Sequence, residues 1–164
     1  VVGSLGVDET TPIVLIVDKE HLDEAIRDLV RIGYDNIVGY ADMQTQERYF
    51  NMHKTFDTIP EIDIKDLDSE KGSGTVLDVR FQSEFSSAHV PGAVNASYTR
   101  LPDYIHSRLN EGEKLYVHCG SGARAAAASA YLARNGFDVT YVNGSFATYP
   151  NPEYAGQTGE TEVA

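Results

Sequence analysis

The sequence contains a single cysteine among its 164 residues, and this scarcity limits its chemistry. One cysteine excludes a disulfide within the chain, and without a second thiol or clustered histidines the zinc-site spacings are missing as well. We therefore expect these residues to hold no metal and no cofactor, and we expect a reducing, cytoplasmic setting.

Basic residues are also few, 13 against 25 acidic ones, so the formal net charge is -12. This balance argues against nucleic acid and anionic membranes as partners. No apolar run approaches the roughly 18 to 20 residues of a membrane span, and the first residues lack a signal-peptide pattern. Because the chain starts at Val1 without a methionine, we interpret it as part of a longer protein.

The composition, with 41% hydrophobic residues, is that of a folded domain. The predicted strands and helices include two similar passages. Residues 13–17 and 36–40 are predicted strands, and residues 21–32 between them show helical spacing. The same strand, helix, strand order is predicted again for residues 114–118, 123–135 and 139–142. Each passage is typical of a parallel α/β sheet.

The two passages also align in sequence, since residues 29–35 match residues 132–138 without gaps and each helix is followed by a glycine, Gly33 or Gly136. We interpret this as an internal duplication, although such units also converge on similar patterns. The intervening stretch has no counterpart in the first passage. It predicts a helix over 62–71, a strand over 75–79, a helical turn over 82–87 and a helix over 98–110.

The most informative segment joins the strand ending at His118 to the helix starting at Ala123. Cys119 stands between them, followed by the glycine-rich turn Gly120-Ser121-Gly122. This order places a sulfur atom over a helix N-terminus, where free backbone N–H groups stabilise a thiolate or bind an anion. Arg124 adds a positive charge suited to oxyanions. A lone cysteine at a strand end is more often inert, but this combination favours a nucleophile.

Two histidines near the cysteine are predicted to be structural. His118 precedes Cys119 on the strand, where side chains alternate, so it points away from the sulfur. His89 lies in a turn before Pro91, where an imidazole usually fixes the backbone. Ser121 either contacts a substrate or completes the turn.

With these motifs in view, residues 58–150 resemble the rhodanese family. The resemblance rests on five segments in order: Leu77-Asp78-Val79-Arg80, Glu84-Phe85, Ala88 through Asn95, Val117 through Arg124, and Gly136-Phe137 with Val142 through Phe146. The chain departs from the family at Ser145, where a second glycine is common, and at Gly120, where a larger residue is frequent and whose small size is expected to open the pocket.

The resemblance implies a sulfurtransferase on a doubly wound parallel sheet flanked by helices. Cys119 would carry a sulfane sulfur as a persulfide, with Gly120, Ser121, Gly122, Ala123 and Arg124 forming the substrate cradle. Small molecules such as thiosulfate, glutathione persulfide and sulfite would be donors and acceptors. Asp78 and Arg80 would orient the loop from the neighbouring strand, or Arg80 would pair with Glu84 as structural support.

Loop length separates the two chemistries that this fold supports. By the resemblance, six-residue loops transfer sulfur, whereas the related phosphatases have five residues between cysteine and arginine. Here four residues separate Cys119 from Arg124. This shorter spacing favours sulfur transfer over a phosphate- or arsenate-handling enzyme. A non-catalytic docking or regulatory module is the remaining alternative, and the intact cysteine loop argues against it.

Residues 1–57 are expected to form a partial, catalytically silent rhodanese-like unit, because Asp18 occupies the position of the cysteine; residues 151–164 are expected to be a C-terminal tail. The segment 23–40 also resembles the linker in fusions of a metallo-β-lactamase-fold persulfide dioxygenase to rhodanese units. That resemblance implies an iron-dependent domain upstream and a role in persulfide detoxification. Such a half unit is expected to pack on the second domain, on missing residues or on another chain, and the last arrangement would make a homo-oligomer.

Overall fold

The structure of the protein, a computed structural model, describes residues 10–53, 57–109 and 112–155. The chain divides into two compact units, with the boundary between Thr58 and Ile59. We refer to them as the front unit and the main unit. No helix among the described residues is both long enough and apolar enough to span a membrane.

The front unit contains the predicted strand, helix, strand arrangement. Strand β1 (Ile13–Ile16) pairs in parallel with β2 (Ile37–Ala41), and helix α1 (Leu22–Arg31) connects them. The prediction for these three elements is confirmed to within two residues. Helix α2 (Met43–His53) was not predicted. Its residues are mostly good helix formers but lack a clear apolar period, which is why the pattern gave no signal.

The main unit is built on a five-stranded sheet in the order β3-β8-β7-β4-β6, with every pair parallel. Its strands are β3 (Glu61–Asp63), β4 (Thr75–Asp78), β6 (Val94–Asn95), β7 (Lys114–His118) and β8 (Asp138–Asn143). Its helices are α3 (Leu67–Glu70), α4 (Gln82–Ser87), α5 (Leu101–Arg108) and α6 (Ala123–Arg134). This is the predicted α/β fold, a central parallel sheet flanked by helices.

Side chains of β7 alternate between two apolar clusters, so the strand is buried from both sides. Leu115 and Val117 belong to the first cluster, together with the buried apolar residues of α6. Tyr116 belongs to the second, with Ile64 and Leu67. Burying each such leucine or valine stabilises the fold by about 1.5–3 kcal/mol, so the strand that carries the site is firmly held.

Helices α1 and α6 end in the same way. In α1 the N–H of Gly33 donates to the Val30 carbonyl and that of Tyr34 to the Leu29 carbonyl. The N–H groups of Gly136 and Phe137 make the matching bonds at the end of α6. Both glycines have positive φ, 92° and 87°, as this kind of helix end requires. The gapless alignment of the two passages therefore extends to shared local geometry.

Two predictions for the main unit need correction. Residues 62–71 do not form one helix: the segment starts as strand β3, in which Ile62 pairs with Val142, and turns helical only from Ile64. Part of the predicted tail is a strand, β9 (Glu153–Tyr154), which pairs antiparallel with β5 (Ala88–His89). Both errors concern edge strands of two or three residues, which are too short to show a period of two. Residues 156–164 of that tail lie outside the described residues.

Candidate active site

The predicted cysteine loop lies at the carboxyl end of the central strand. Strand β7 ends at His118, Cys119 follows directly, and α6 starts at Ala123. Gly122 precedes the helix with a φ of +94°, a conformation that favours glycine. In open parallel sheets this edge is where ligands bind, so the topology agrees with the predicted position of the site.

The sulfur of Cys119 is buried and accepts two backbone hydrogen bonds. The N–H groups of Gly122 and Ala125 lie 3.2 Å and 3.3 Å from Sγ. The side chain is only 1% exposed, and it faces the first turn of the 12-residue helix α6. Two amide donors and the positive end of a helix all favour negative charge on this sulfur. Gly122 was a predicted cradle residue, whereas Ala125 was missed.

Gly122 is tightly enclosed, which explains why the loop needs glycine at this position. A Cβ atom there would lie 2.6 Å from the Tyr141 hydroxyl and 3.0 Å from Oδ1 of Asn143. The hydroxyl of Tyr141 donates to that Asn143 oxygen at 3.0 Å. Burial raises the pKa of Tyr141, and nearby Glu61 and Cys119 add to the shift, so the hydroxyl keeps its proton. Tyr141 and Asn143 therefore pack closely against the loop at Gly122.

Arg124, the predicted cation of the site, forms a two-point ion pair with Glu84 of helix α4. Its Nη1 donates to Oε2 of Glu84 at 2.6 Å and its Nη2 to Oε1 at 2.8 Å. The hydrogen-bonded guanidinium holds the pKa of the Glu84 carboxyl below its usual value, and the carboxylate in turn raises the pKa of Arg124. Both groups therefore stay charged across the physiological pH range.

The ion pair lies directly over Gly120. A Cβ atom at Gly120 would lie 3.0 Å from Nη2 of Arg124 and 3.7 Å from Oε1 of Glu84. The small residue was expected to open the pocket, but the space beside it is filled by the ion pair. The ring of Phe81, which is about half exposed, lies 5.4 Å from the guanidinium carbon of Arg124. Ser121 and Ala123 are exposed at the turn.

Asp78 and Arg80 pair with each other and not with the cysteine loop. The guanidinium of Arg80 donates from Nε to both Asp78 oxygens at 3.0 Å and from Nη2 to Oδ2 at 2.6 Å. Nη2 also donates to the carbonyl of Ala88. The alternative prediction that Arg80 pairs with Glu84 is therefore wrong, because the Glu84 carboxylate is taken by Arg124. Both members of the pair are almost completely buried.

Phe146 connects this buried ion pair to the loop. The guanidinium carbon of Arg80 lies 3.8 Å from the Phe146 ring centre, a cation–π contact. The Phe146 ring also stacks on His118. Its backbone N–H donates to the Gly120 carbonyl at 3.0 Å. Asp78 and Arg80 are thus connected to the loop through the Phe146 ring and one backbone hydrogen bond.

The two histidines occupy structural positions. His118 is fully buried, with Nε2 3.5 Å from Oδ2 of Asp78, and none of the described residues hydrogen-bonds either ring nitrogen. Burial holds the pKa of His118 below its usual value despite the nearby Asp78 carboxylate. In His89, Nδ1 lies 3.0 Å from the Phe85 carbonyl, consistent with the expected bond to the backbone. Among the described residues no cluster of histidine, cysteine or acidic side chains could hold a metal ion.

Four residues of the site were not predicted from the sequence: Glu84, Ala125, Tyr141 and Phe146. One signal was available for Glu84, because it stands three residues after Phe81 and accepts the Phe81 N–H as a helix cap. That spacing predicts the cap but not the distant partner Arg124. Ala125 lies in the first turn of α6, so the predicted helix start was a signal for its N–H group. Tyr141 and Phe146 act through contacts between separate elements, which a local pattern does not contain.

The comparisons with known proteins agree with this geometry. A family model described as a rhodanese-like domain matches residues 63–151, just over half of the chain. The thiosulfate sulfurtransferase GlpE of Pseudomonas savastanoi pv. phaseolicola is 35% identical over 92 residues, which cover 53% of this chain and 85% of GlpE. The Bacillus subtilis protein YrkF is 33% identical over 84 residues; the match spans 49% of this chain but only 44% of YrkF.

Solved structures give the same result for the fold. A crystal structure of a rhodanese-like domain protein from Staphylococcus aureus is 27% identical, with a TM-score of 0.53. The similarity covers 58% of this chain and 98% of that one. The shared region is therefore the length of one such domain.

Proposed function

We propose that this chain, which belongs to the rhodanese-like domain family, is a sulfurtransferase that carries sulfane sulfur as a persulfide on Cys119. The observation that carries the proposal is the pair of N–H groups, from Gly122 and Ala125, directed at the buried sulfur. A buried cysteine with only apolar neighbours would be inert. This one lies where negative charge on sulfur is stabilised.

In the loading step, the Cys119 thiolate attacks the outer sulfur of the donor. With thiosulfate, a new bond forms between Sγ and the sulfane sulfur, the sulfur–sulfur bond of the donor breaks, and sulfite leaves with the electron pair. With an organic persulfide, a thiolate leaves instead. In either case the outer sulfur on Cys119 carries the negative charge that the donor sulfur held before.

In the unloading step, a nucleophile such as sulfite, glutathione or cyanide attacks the outer sulfur. The bond to Sγ breaks and its electron pair returns to Cys119 as a thiolate. The N–H groups of Gly122 and Ala125 stabilise that thiolate at the beginning and the end of the cycle. Preformed donors of this kind need no rearrangement during the reaction, which supports catalysis over simple sulfur storage.

The parent protein's role follows from the second resemblance and stays a prediction. An upstream iron-dependent persulfide dioxygenase would supply sulfite, which this domain would combine with a persulfide sulfur to give thiosulfate. We propose persulfide detoxification on this basis, and a cytoplasmic setting on the basis of the single cysteine. Mass spectrometry of the protein purified from its natural source would test the fusion.

The test of the central proposal is the intact mass of the chain after incubation with thiosulfate or glutathione persulfide. We expect the wild-type chain to gain one sulfur atom, and cyanide or sulfite to remove it. Cys119→Ser is the matched control and should gain nothing. If the wild type gains no sulfur from either donor, the proposal is wrong, and the docking-module alternative takes its place.

A further inference from the structure

Glu84 is held in place from two sides at the entrance to the cysteine loop. Its carboxylate accepts the Phe81 N–H at 3.1 Å and two N–H groups of Arg124 at 2.6 Å and 2.8 Å. Its side chain is only about one-third exposed and that of Arg124 less than one-quarter. This is therefore a fixed, hydrogen-bonded pair, unlike a mobile surface ion pair.

The pair offsets the positive charge of Arg124, which would otherwise attract an oxyanion to the loop. An arginine side chain binds an oxyanion mainly through its two terminal nitrogens. In Arg124 both of these nitrogens already donate to the Glu84 carboxylate. A sulfonate-like group that approached this edge would have to displace Glu84 and would meet its negative charge. A second cation, Arg80, is buried and already paired with Asp78.

The position of the pair makes this charge relevant to the reacting sulfur. Because Gly120 has no side chain, Arg124 and Glu84 lie against the backbone of the residue next to Cys119. A donor bound over this loop therefore contacts a neutralised arginine and the half-exposed ring of Phe81. Such a surface suits a donor with an apolar thiol portion better than it suits a small dianion.

We propose that Glu84 is a specificity-determining residue that disfavours oxyanionic donors such as thiosulfate and leaves organic persulfides as the preferred donors. The inference rests on the proposed sulfur transfer through Cys119. It assigns Glu84 a role in donor selection in addition to capping α4. The two roles can be separated, because the cap needs only an acceptor oxygen whereas the selection needs a negative charge.

The test compares single-turnover loading of Cys119, followed by intact mass, with two donors: thiosulfate and mercaptoethanol persulfide, which has no charged group apart from its sulfur. In Glu84→Gln the amide oxygen still caps Phe81, and the charge is gone. We expect the second-order loading rate with thiosulfate to rise about tenfold, or about 1.4 kcal/mol. The rate with the persulfide, which carries a single negative charge, should rise less than the rate with thiosulfate, so donor selectivity shifts towards thiosulfate.

Two controls distinguish charge at this site from other effects. Glu70→Gln changes the net charge of the chain equally, but at an exposed residue of α3, and should move neither rate. Glu84→Asp keeps the charge and should keep wild-type selectivity. If Glu84→Gln does not fold, Glu84→Ala, which also removes the charge, takes its place in the comparison. Wild-type selectivity in Glu84→Gln, or a thiosulfate rate that falls, would overturn the inference. Absence of loading in the wild type with both donors would instead refute the proposed function itself.

Discussion

Substitution of Gly122 by alanine tests whether the cysteine loop depends on the close approach of Tyr141. Two separate costs are expected. The φ of +94° is unfavourable for a residue with a Cβ by about 1–2 kcal/mol. The new Cβ would also lie 2.6 Å from the Tyr141 hydroxyl, and overpacking of this kind costs about 1–3 kcal/mol. The free energy of unfolding should therefore fall by about 2–5 kcal/mol.

Gly136 provides a matched control in the same unit. Its φ is +87°, but, its chain neighbours aside, none of the described residues has an atom within 4 Å of the position its Cβ would take. Gly136→Ala should therefore lose only the backbone cost of about 1–2 kcal/mol. Urea unfolding followed by circular dichroism measures both variants, and intact mass after thiosulfate treatment measures sulfur loading. We expect Gly122→Ala to load poorly and Gly136→Ala to load normally.

The crowding cost can be isolated with Tyr141→Phe, which removes the hydroxyl that the new Cβ would meet. In that background Gly122→Ala should be less destabilising by about 1 kcal/mol or more, as a double-mutant cycle would show. The explanation would be refuted if Gly122→Ala were no more destabilising than Gly136→Ala. It would also be refuted if Tyr141→Phe left the cost of Gly122→Ala unchanged.

Three further predictions concern groups around the loop. Arg80→Ala leaves the buried Asp78 carboxylate without its partner and should lower the free energy of unfolding by about 3–5 kcal/mol in urea; a loss below about 1 kcal/mol would contradict the pairing. Because burial lowers the pKa of His118, the unfolded chain binds more protons, so stability should fall as the pH drops below about 6.5. His118→Gln should remove that part of the pH dependence, at most about 1.4 kcal/mol per pH unit, and an unchanged pH profile would exclude His118 as its source. Tyr149→Phe loses a hydroxyl that donates to both oxygens of Asp68, and should lower the urea midpoint by an amount equivalent to about 1–2 kcal/mol, with sulfur loading intact.

Periodic patterns in the sequence were sufficient to predict the repeated strand, helix, strand passages. Residues 114–118 carry a buried strand, and α6 follows from an alanine-rich stretch that ends at Asn135 and Gly136. The glycine-rich turn between them predicted that Cys119 lies at a helix start. These features are local, because each depends on residues within a few positions of one another.

Edge strands and the second helix of the front unit could not be predicted in this way. Strands β3, β5 and β9 contain two or three residues each, so their alternation is too short to recognise. They exist because a neighbouring strand offers free backbone groups, which is a property of the assembled sheet. Helix α2 lacked the apolar period on which the prediction depended.

The sequence by itself therefore determined the position of the proposed nucleophile, its turn and its helix, because these are set by neighbouring residues. The tertiary structure decided which partners surround them. It brings Glu84 across 40 residues to Arg124, and it pairs Arg80 with Asp78 and not with Glu84. Charged side chains in a chain with many carboxylates have several possible partners, and only the folded arrangement of β4, α4 and α6 selects among them. Under the proposed function, the charge that a donor meets at Cys119 follows from that selection.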